Sequence, residues 1–158
     1  MDKEEKQIDY MSYYVDPHEE VSRDVTDKDI ERIKKDAEIM VNMCFVQRGI
    51  FPSAYALADQ QITKKDPLRF FAFNNGVVII NPVIVRHTRH TIDSEEGCLS
   101  FPDNKPITVQ RWNKCEVEFQ EIEGDRLGEK QTKNLSSIEA KIFQHEIQHF
   151  DGSYIFDV

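Results

Sequence analysis

The chain has 158 residues, 39% of them hydrophobic, which is enough for one domain with a real core and too little for two ordinary ones. With 29 acidic against 20 basic residues its net charge is −9, which argues against a nucleic-acid or anionic-membrane surface. No apolar run approaches the roughly 18 residues that span a bilayer, and the charged start MDKEEKQIDY lacks the apolar stretch of a signal peptide, so no membrane partner is expected. Cys44, Cys98 and Cys115 are odd in number and widely spaced, which favours a reducing, cytoplasmic compartment over a disulfide framework.

In chain order, residues 1–12 read as a flexible arm, and Asp16-Pro17 marks a turn. From Thr26, apolar residues recur at Ile30, Ile33, Ala37, Met40, Val41, Cys44 and Phe45, predicting an N-terminal helix that ends near Gly49 with Cys44 in its core stripe. Residues 68–73 and 77–80 predict two strands around Asn74-Asn75-Gly76, after which Asn81-Pro82 is expected to break the run. Residues 107–112 and 115–122 alternate as half-buried antiparallel strands, and a last strand is expected near 129–133. Ser136 and Glu139 match a capping box that opens a second helix. The order of helix, strands and helix gives an α+β class: antiparallel β-sheets around a central helix, within a single domain spanning 1–158.

That second helix carries Gln144-His145-Glu146-Ile147-Gln148-His149, an H-E-x-x-H pattern. At about 100° per residue, His145 and His149 lie about 40° apart, so both can face one metal ion. Glu146 can then act as general base on a water at that metal. The competing reading is an amphipathic helix with two surface histidines, but apolar residues on both of its sides predict burial. A third ligand is needed. The metzincin spacing would place a histidine where Ile155 stands, and only nine residues follow His149, so both common protease arrangements weaken. A zinc endopeptidase would need a ligand such as Asp157. Upstream, His87 and His90 are candidates at a strand end, and Cys98, after Gly97, is better placed; a thiolate with two imidazoles makes a charge-balanced site.

Together, Glu96-Gly97-Cys98-Leu99-Ser100 and Gln144-His145-Glu146-x-x-His149 resemble the signatures of the peptide deformylase family, and Ile80-Asn81-Pro82 adds to the likeness, which spans about residues 13–156. The resemblance implies metal ligation by Cys98, His145 and His149, with Fe2+ as the natural ion and Zn2+, Ni2+ or Co2+ as alternatives. It implies that Glu146 activates water against the formyl carbon of N-formylmethionyl nascent peptides. Gln61 and the backbone N–H of Leu99 would then meet the oxyanion. It also implies that Tyr55 and Ala56 contact substrate, while Ile138 and Ile142 sit where they can wall a methionine pocket.

Three departures stand out. The family's G-x-G-x-A-A-x-Q is matched here by Ala54-Tyr55-Ala56-Leu57-Ala58-Asp59-Gln60-Gln61, with alanines for both glycines and Asp59 for an alanine. Gln148 stands where many members carry Asp. The sequence stops at Val158 without the C-terminal helix that helps many bacterial members dock on the ribosome, which leaves ribosome contact open. The altered first motif also admits a retuned or inactive metal-binding homologue acting on another N-acyl group.

Overall fold

The computed structural model describes residues 15, 18–44, 56–97 and 105–152. Helix α1 is Ile30–Cys44, introduced by a 3-10 turn at Asp27–Asp29, and α2 is Ser137–Phe150. Strands β1 (Ala56–Ala58), β2 (Phe70–Phe73), β3 (Val78–His87), β6 (Lys114–Gln120) and β9 (Gln131–Ser136) form one antiparallel sheet in the order β1-β2-β3-β6-β9. A separate two-stranded sheet pairs β4 (Thr91–Glu96) with β5 (Ile107–Trp112), and a small ribbon pairs β7 (Ile122–Glu123) with β8 (Arg126–Leu127).

The two faces of the large sheet serve two helices. Leu57, Phe70, Ala72 and Ile80 pack with Ile33, Ala37, Met40, Met43 and Cys44 of α1. Their chain neighbours Ala56, Ala58, Phe71 and Ile79 point the other way and pack with Ala140, Phe143 and Phe150 of α2. Both faces of β1 and β2 are therefore dry, which is why Phe70–Phe73 reads as an unbroken apolar run. Cys44 and Cys115 are buried thiols in these cores, as their positions in the pattern predict.

Several elements differ from the sequence expectation. Asn81-Pro82 does not end a strand: β3 runs on to His87 through a register shift between Ile80 and Val83, with Asn81 at φ 51°. The bulge tolerates proline because no ladder N–H is needed there. The Asn81 side chain ties it down, accepting from Val25 N–H at 2.8 Å and donating to Gln120 Oε1 at 3.0 Å. Strand β4 has no counterpart in the sequence expectation, since its charged residues mask the alternation. The last strand lies at 131–136 rather than 129–133. Ser136 makes no side-chain cap bond at the start of α2, and Glu139 pairs with Lys133 at 3.4 Å. The capping-box pattern fails because Ser136 belongs to β9, paired with Lys114, and the helix starts abruptly at Ser137 with φ 53°.

An N-terminal strap crosses this frame. Ser22 N–H donates to the Phe150 carbonyl at 2.8 Å at the end of α2, and Arg23 bridges Leu68 in parallel. Gly152 follows α2 at φ 77°, and a Cβ there would stand 2.5 Å from the Glu19 carbonyl oxygen of the strap. Gly152→Ala is therefore expected to lower stability by about 1–3 kcal/mol, from a strained backbone and the lost close approach. Urea unfolding measures this, and an unchanged midpoint would contradict the described contact.

Candidate active site

The site begins with how α2 is seated. Gln144, buried, turns its side-chain amide onto β5: its Oε1 accepts from Trp112 N–H at 2.8 Å, and its Nε2 donates to the Trp112 carbonyl at 2.8 Å and to the Ala140 carbonyl at 2.9 Å. The amide thus mimics a strand residue and fixes the rotation of α2 against β5. That rotation sets the next residue. His145 Nδ1 lies 2.7 Å from Glu96 Oε1 on β4. A carboxylate can only accept, so Nδ1 carries the proton and the lone pair of the neutral ring is on Nε2, the tautomer a metal ligand requires.

Glu96 is itself held from three sides. Arg111 on β5 donates through Nε to Oε2 at 3.0 Å and through a terminal nitrogen to Oε1 at 2.8 Å, and Ser94 Oγ donates to Oε2 at 2.7 Å. Burial alone would raise the Glu96 pKa; the hydrogen bonds from His145 and Arg111 outweigh it and hold the group at about 2. Arg111 also reaches Gln148 Oε1 at 3.1 Å. Gln148 offers that guanidinium a neutral oxygen, so the formal counter-charge comes from Glu96.

One turn along, His149 is 1% exposed, and its ring centroid is 5.0 Å from that of His145. Glu146 is 3% exposed, and its Oε2 has no hydrogen-bond partner among the described residues. Burial first, and then the nearby Glu96 charge, push its pKa up to about 7 against the pull of His145 and Arg111. The same carboxyl, after burial, helps push the Cys44 thiol up to about 12, so the end of α1 lies behind it. Donor atoms of His145, Glu146 and His149 lie within 4.8 Å of one another. Two imidazoles and a carboxylate with an unpartnered buried oxygen suit a divalent cation with a water between it and the carboxylate.

Gln61, the expected oxyanion donor, lies in the 3-10 turn Asp59–Gln61 that follows β1. Gln61 is buried, and its Oε1 accepts from Ala58 N–H at 3.0 Å, which anchors the carbonyl end of the amide and leaves its NH2 as the donor end. Ala56 is buried in the core shared with α2, so its methyl fills core rather than narrowing the cleft. Ile142 is half-buried against that same core, and Ile138 is 59% exposed. Cys98, Leu99 and Tyr55 lie outside the described residues. His87 stacks flat on Trp112 at 3.6 Å, an assignment that serves packing rather than metal binding. Sequence reasoning does not find Arg111, Ser94 or the role of Glu96. Glu96 has a local signal, standing two residues before Cys98, but Arg111 has none.

The polypeptide deformylase family model matches residues 8–158. A peptide deformylase of Thermotoga maritima is 32% identical over 130 residues, 80% of this chain and 72% of that protein. The crystal structure of peptide deformylase from that organism superposes with a TM-score of 0.72 at 32% identity, covering 88% of each chain. A Plasmodium falciparum peptide deformylase in complex with an inhibitor gives 0.68 at 26%, covering 89% of this chain and 80% of that one.

The Arg111–Glu96 pair is 10% and 11% exposed at its side chains, so removing the cation leaves a buried carboxylate without its counter-ion. Arg111→Met is expected to destabilise the fold by about 3–5 kcal/mol in denaturant unfolding. A loss below about 1 kcal/mol would mean that solvent reaches Glu96.

Proposed function

The chain belongs to the polypeptide deformylase family, metal-dependent hydrolases that remove the formyl group from the N-terminus of nascent polypeptides, and from that premise we propose how its residues divide the work. His145, His149 and Cys98 hold the ion, with Fe2+ as the native metal and Zn2+, Ni2+ or Co2+ accepted by the same ligand set. When bound, the ion supplies Lewis acidity that acidifies a water and polarises the formyl carbonyl. Glu146 takes the proton of the attacking water and passes it to the departing amine. The C–N bond breaks, giving formate and a free amino terminus. Gln61 and the backbone N–H of Leu99 donate to the developing oxyanion. Glu96 keeps His145 in its tautomer.

The observation that carries this reading is the convergence of two imidazoles and one buried carboxylate within 4.8 Å. The substrate wall is consistent with it. Strand β1 is the edge of the five-stranded sheet among the described residues, and Ala58 turns its N–H away from β2, so the backbone of Ala56, two residues earlier, faces that same edge. An extended peptide can add there, with Tyr55 beside it and Ile138 and Ile142 near the methionine side chain. No helix among the described residues is long and apolar enough to cross a membrane. We place the enzyme in the cytoplasm, as a single catalytic domain acting on formylmethionyl nascent chains. Family and fold likeness favour this over a retuned homologue for another acyl group.

Formate release from a formyl-methionyl tripeptide by anaerobically iron-loaded protein tests the reading, and no turnover by fully loaded protein would sink it. Glu146→Gln is expected to lower kcat by about 10²–10⁴-fold while metal content stays stoichiometric. Cys98→Ala is expected to lose the ion itself.

A further inference from the structure

The first motif departs from the family pattern at Asp59, where an alanine would stand, and the structure makes that carboxyl part of the turn carrying Gln61. We propose that Asp59 is a positioning residue for Gln61: a proton kept on Asp59, which shares Arg32 with Asp36, holds the 59–61 turn that aims the Gln61 amide, and loss of the proton releases it. This rests on the reading of Gln61 as an oxyanion donor.

Asp59 is 0% exposed and opens the turn. Its Oδ2 accepts from Leu68 N–H at 2.9 Å and from Arg32 at 3.1 Å, and its backbone carbonyl accepts from the N–H groups of Ile62 and Thr63 at 3.0 and 3.1 Å. Its Oδ1 is buried and receives no donor among the described residues. Asp36, from α1, shares the same guanidinium with this carboxyl, Arg32 donating to Asp36 at 3.4 Å and to Asp59 at 3.1 Å. Two carboxylates on one guanidinium repel each other unless one keeps its proton. A proton on Oδ1 makes the orphaned oxygen a donor and removes one of the two charges that share Arg32. Burial, followed by the Asp36 charge, raises Asp59 to about 8 against the opposing Leu68 N–H and Arg32.

One cation cannot replace that proton. Arg32 is divided among Asp59, Asp36 at 3.4 Å and the Asp66 carbonyl at 2.8 Å, and Arg23 is already occupied by Asp29 and Asp66. On the other side of the turn the titratable neighbour is His18 of the strap, whose Nε2 lies 3.0 and 3.2 Å from the carbonyls of Gln60 and Thr63. The folded chain binds the Asp59 proton more tightly than an unfolded one does. Its stabilising contribution is therefore full at acid pH and is lost as pH rises through about 8. Above that, two anionic carboxylates share one guanidinium beneath the turn, and Gln61 moves with it.

Kinetics of the metal-loaded protein with a formyl-methionyl tripeptide test this. In the parent, kcat is expected to fall about tenfold between about pH 7 and pH 9, less than the roughly 10²–10³-fold cost of losing an oxyanion donor outright. Asp59→Asn, whose amide is neutral at every pH, is expected to remove that decline, and in a Gln61→Ala background it is expected to leave the profile unchanged. Should the Asp59→Asn variant not fold, Asp36→Asn removes the opposing charge and is expected to abolish the decline equally. The inference is overturned if the decline persists in both variants, or if Asp59→Asn still reshapes the profile without Gln61. The side-chain amide resonance of Gln61 in zinc-loaded protein provides a readout independent of turnover. It is expected to titrate in the parent and not in Asp59→Asn, and a pH-insensitive amide overturns the inference. Absence of any turnover would instead refute the deformylase reading.

Discussion

The interaction on which the site depends is the contact between the Glu96 carboxylate and His145 Nδ1. It joins two units that share no ladder, the β4–β5 sheet and α2, and it does so with a charge that the interior would otherwise reject. Arg111 makes the burial tolerable by donating to both oxygens, and Ser94 takes a remaining lone pair. Because Arg111 and Trp112 are consecutive on β5, the strand that supplies the counter-ion also receives the Gln144 amide. The position of the histidine ring, its tautomer and the rotation of its helix are thus set by one patch of β5.

The large sheet imposes a second constraint. Its central apolar strands face α1 on one side and α2 on the other, so the short β1 must present small residues to α2 while Leu57 reaches the α1 core. Ala56 and Ala58 meet that requirement. The alanine at 56 in place of a family glycine is therefore absorbed by packing in the core that holds Phe71 and Phe143. The altered part of the motif with chemical reach is further along, at Asp59, where a fully buried carboxyl stands in place of the family's alanine.

What was legible in the sequence follows the range of the forces involved. Helical periodicity disclosed α1, α2 and the shared face of His145 and His149, because those relations are local. The hairpin at Asn74-Asn75-Gly76 and the cores containing Cys44 and Cys115 were legible for the same reason. Glu96 and His145 are 49 residues apart and Arg111 is a further strand away, so nothing in either neighbourhood announces the contact. The chain break expected at Asn81-Pro82 failed because a left-handed asparagine and its bonds to Val25 and Gln120, again distant in sequence, convert a stop signal into a bulge. The capping box at Ser136 failed because strand pairing claimed the residue first.

The strap formed by residues 18–25 has a consequence for how such a protein comes into being. Val15 N–H donates to the Gln61 carbonyl, His18 and Gln60 exchange bonds, and Ser22 closes on Phe150, so the earliest described part of the chain is completed by the last helix. Contacts of this sequence separation form late and carry a large loop-closure entropy. On a translating ribosome, the strap must wait, unpartnered on that side, until α2 has emerged. An enzyme whose substrates are new N-termini cannot seal residues 18–25 of its own chain until Phe150, at the end of α2, has been made.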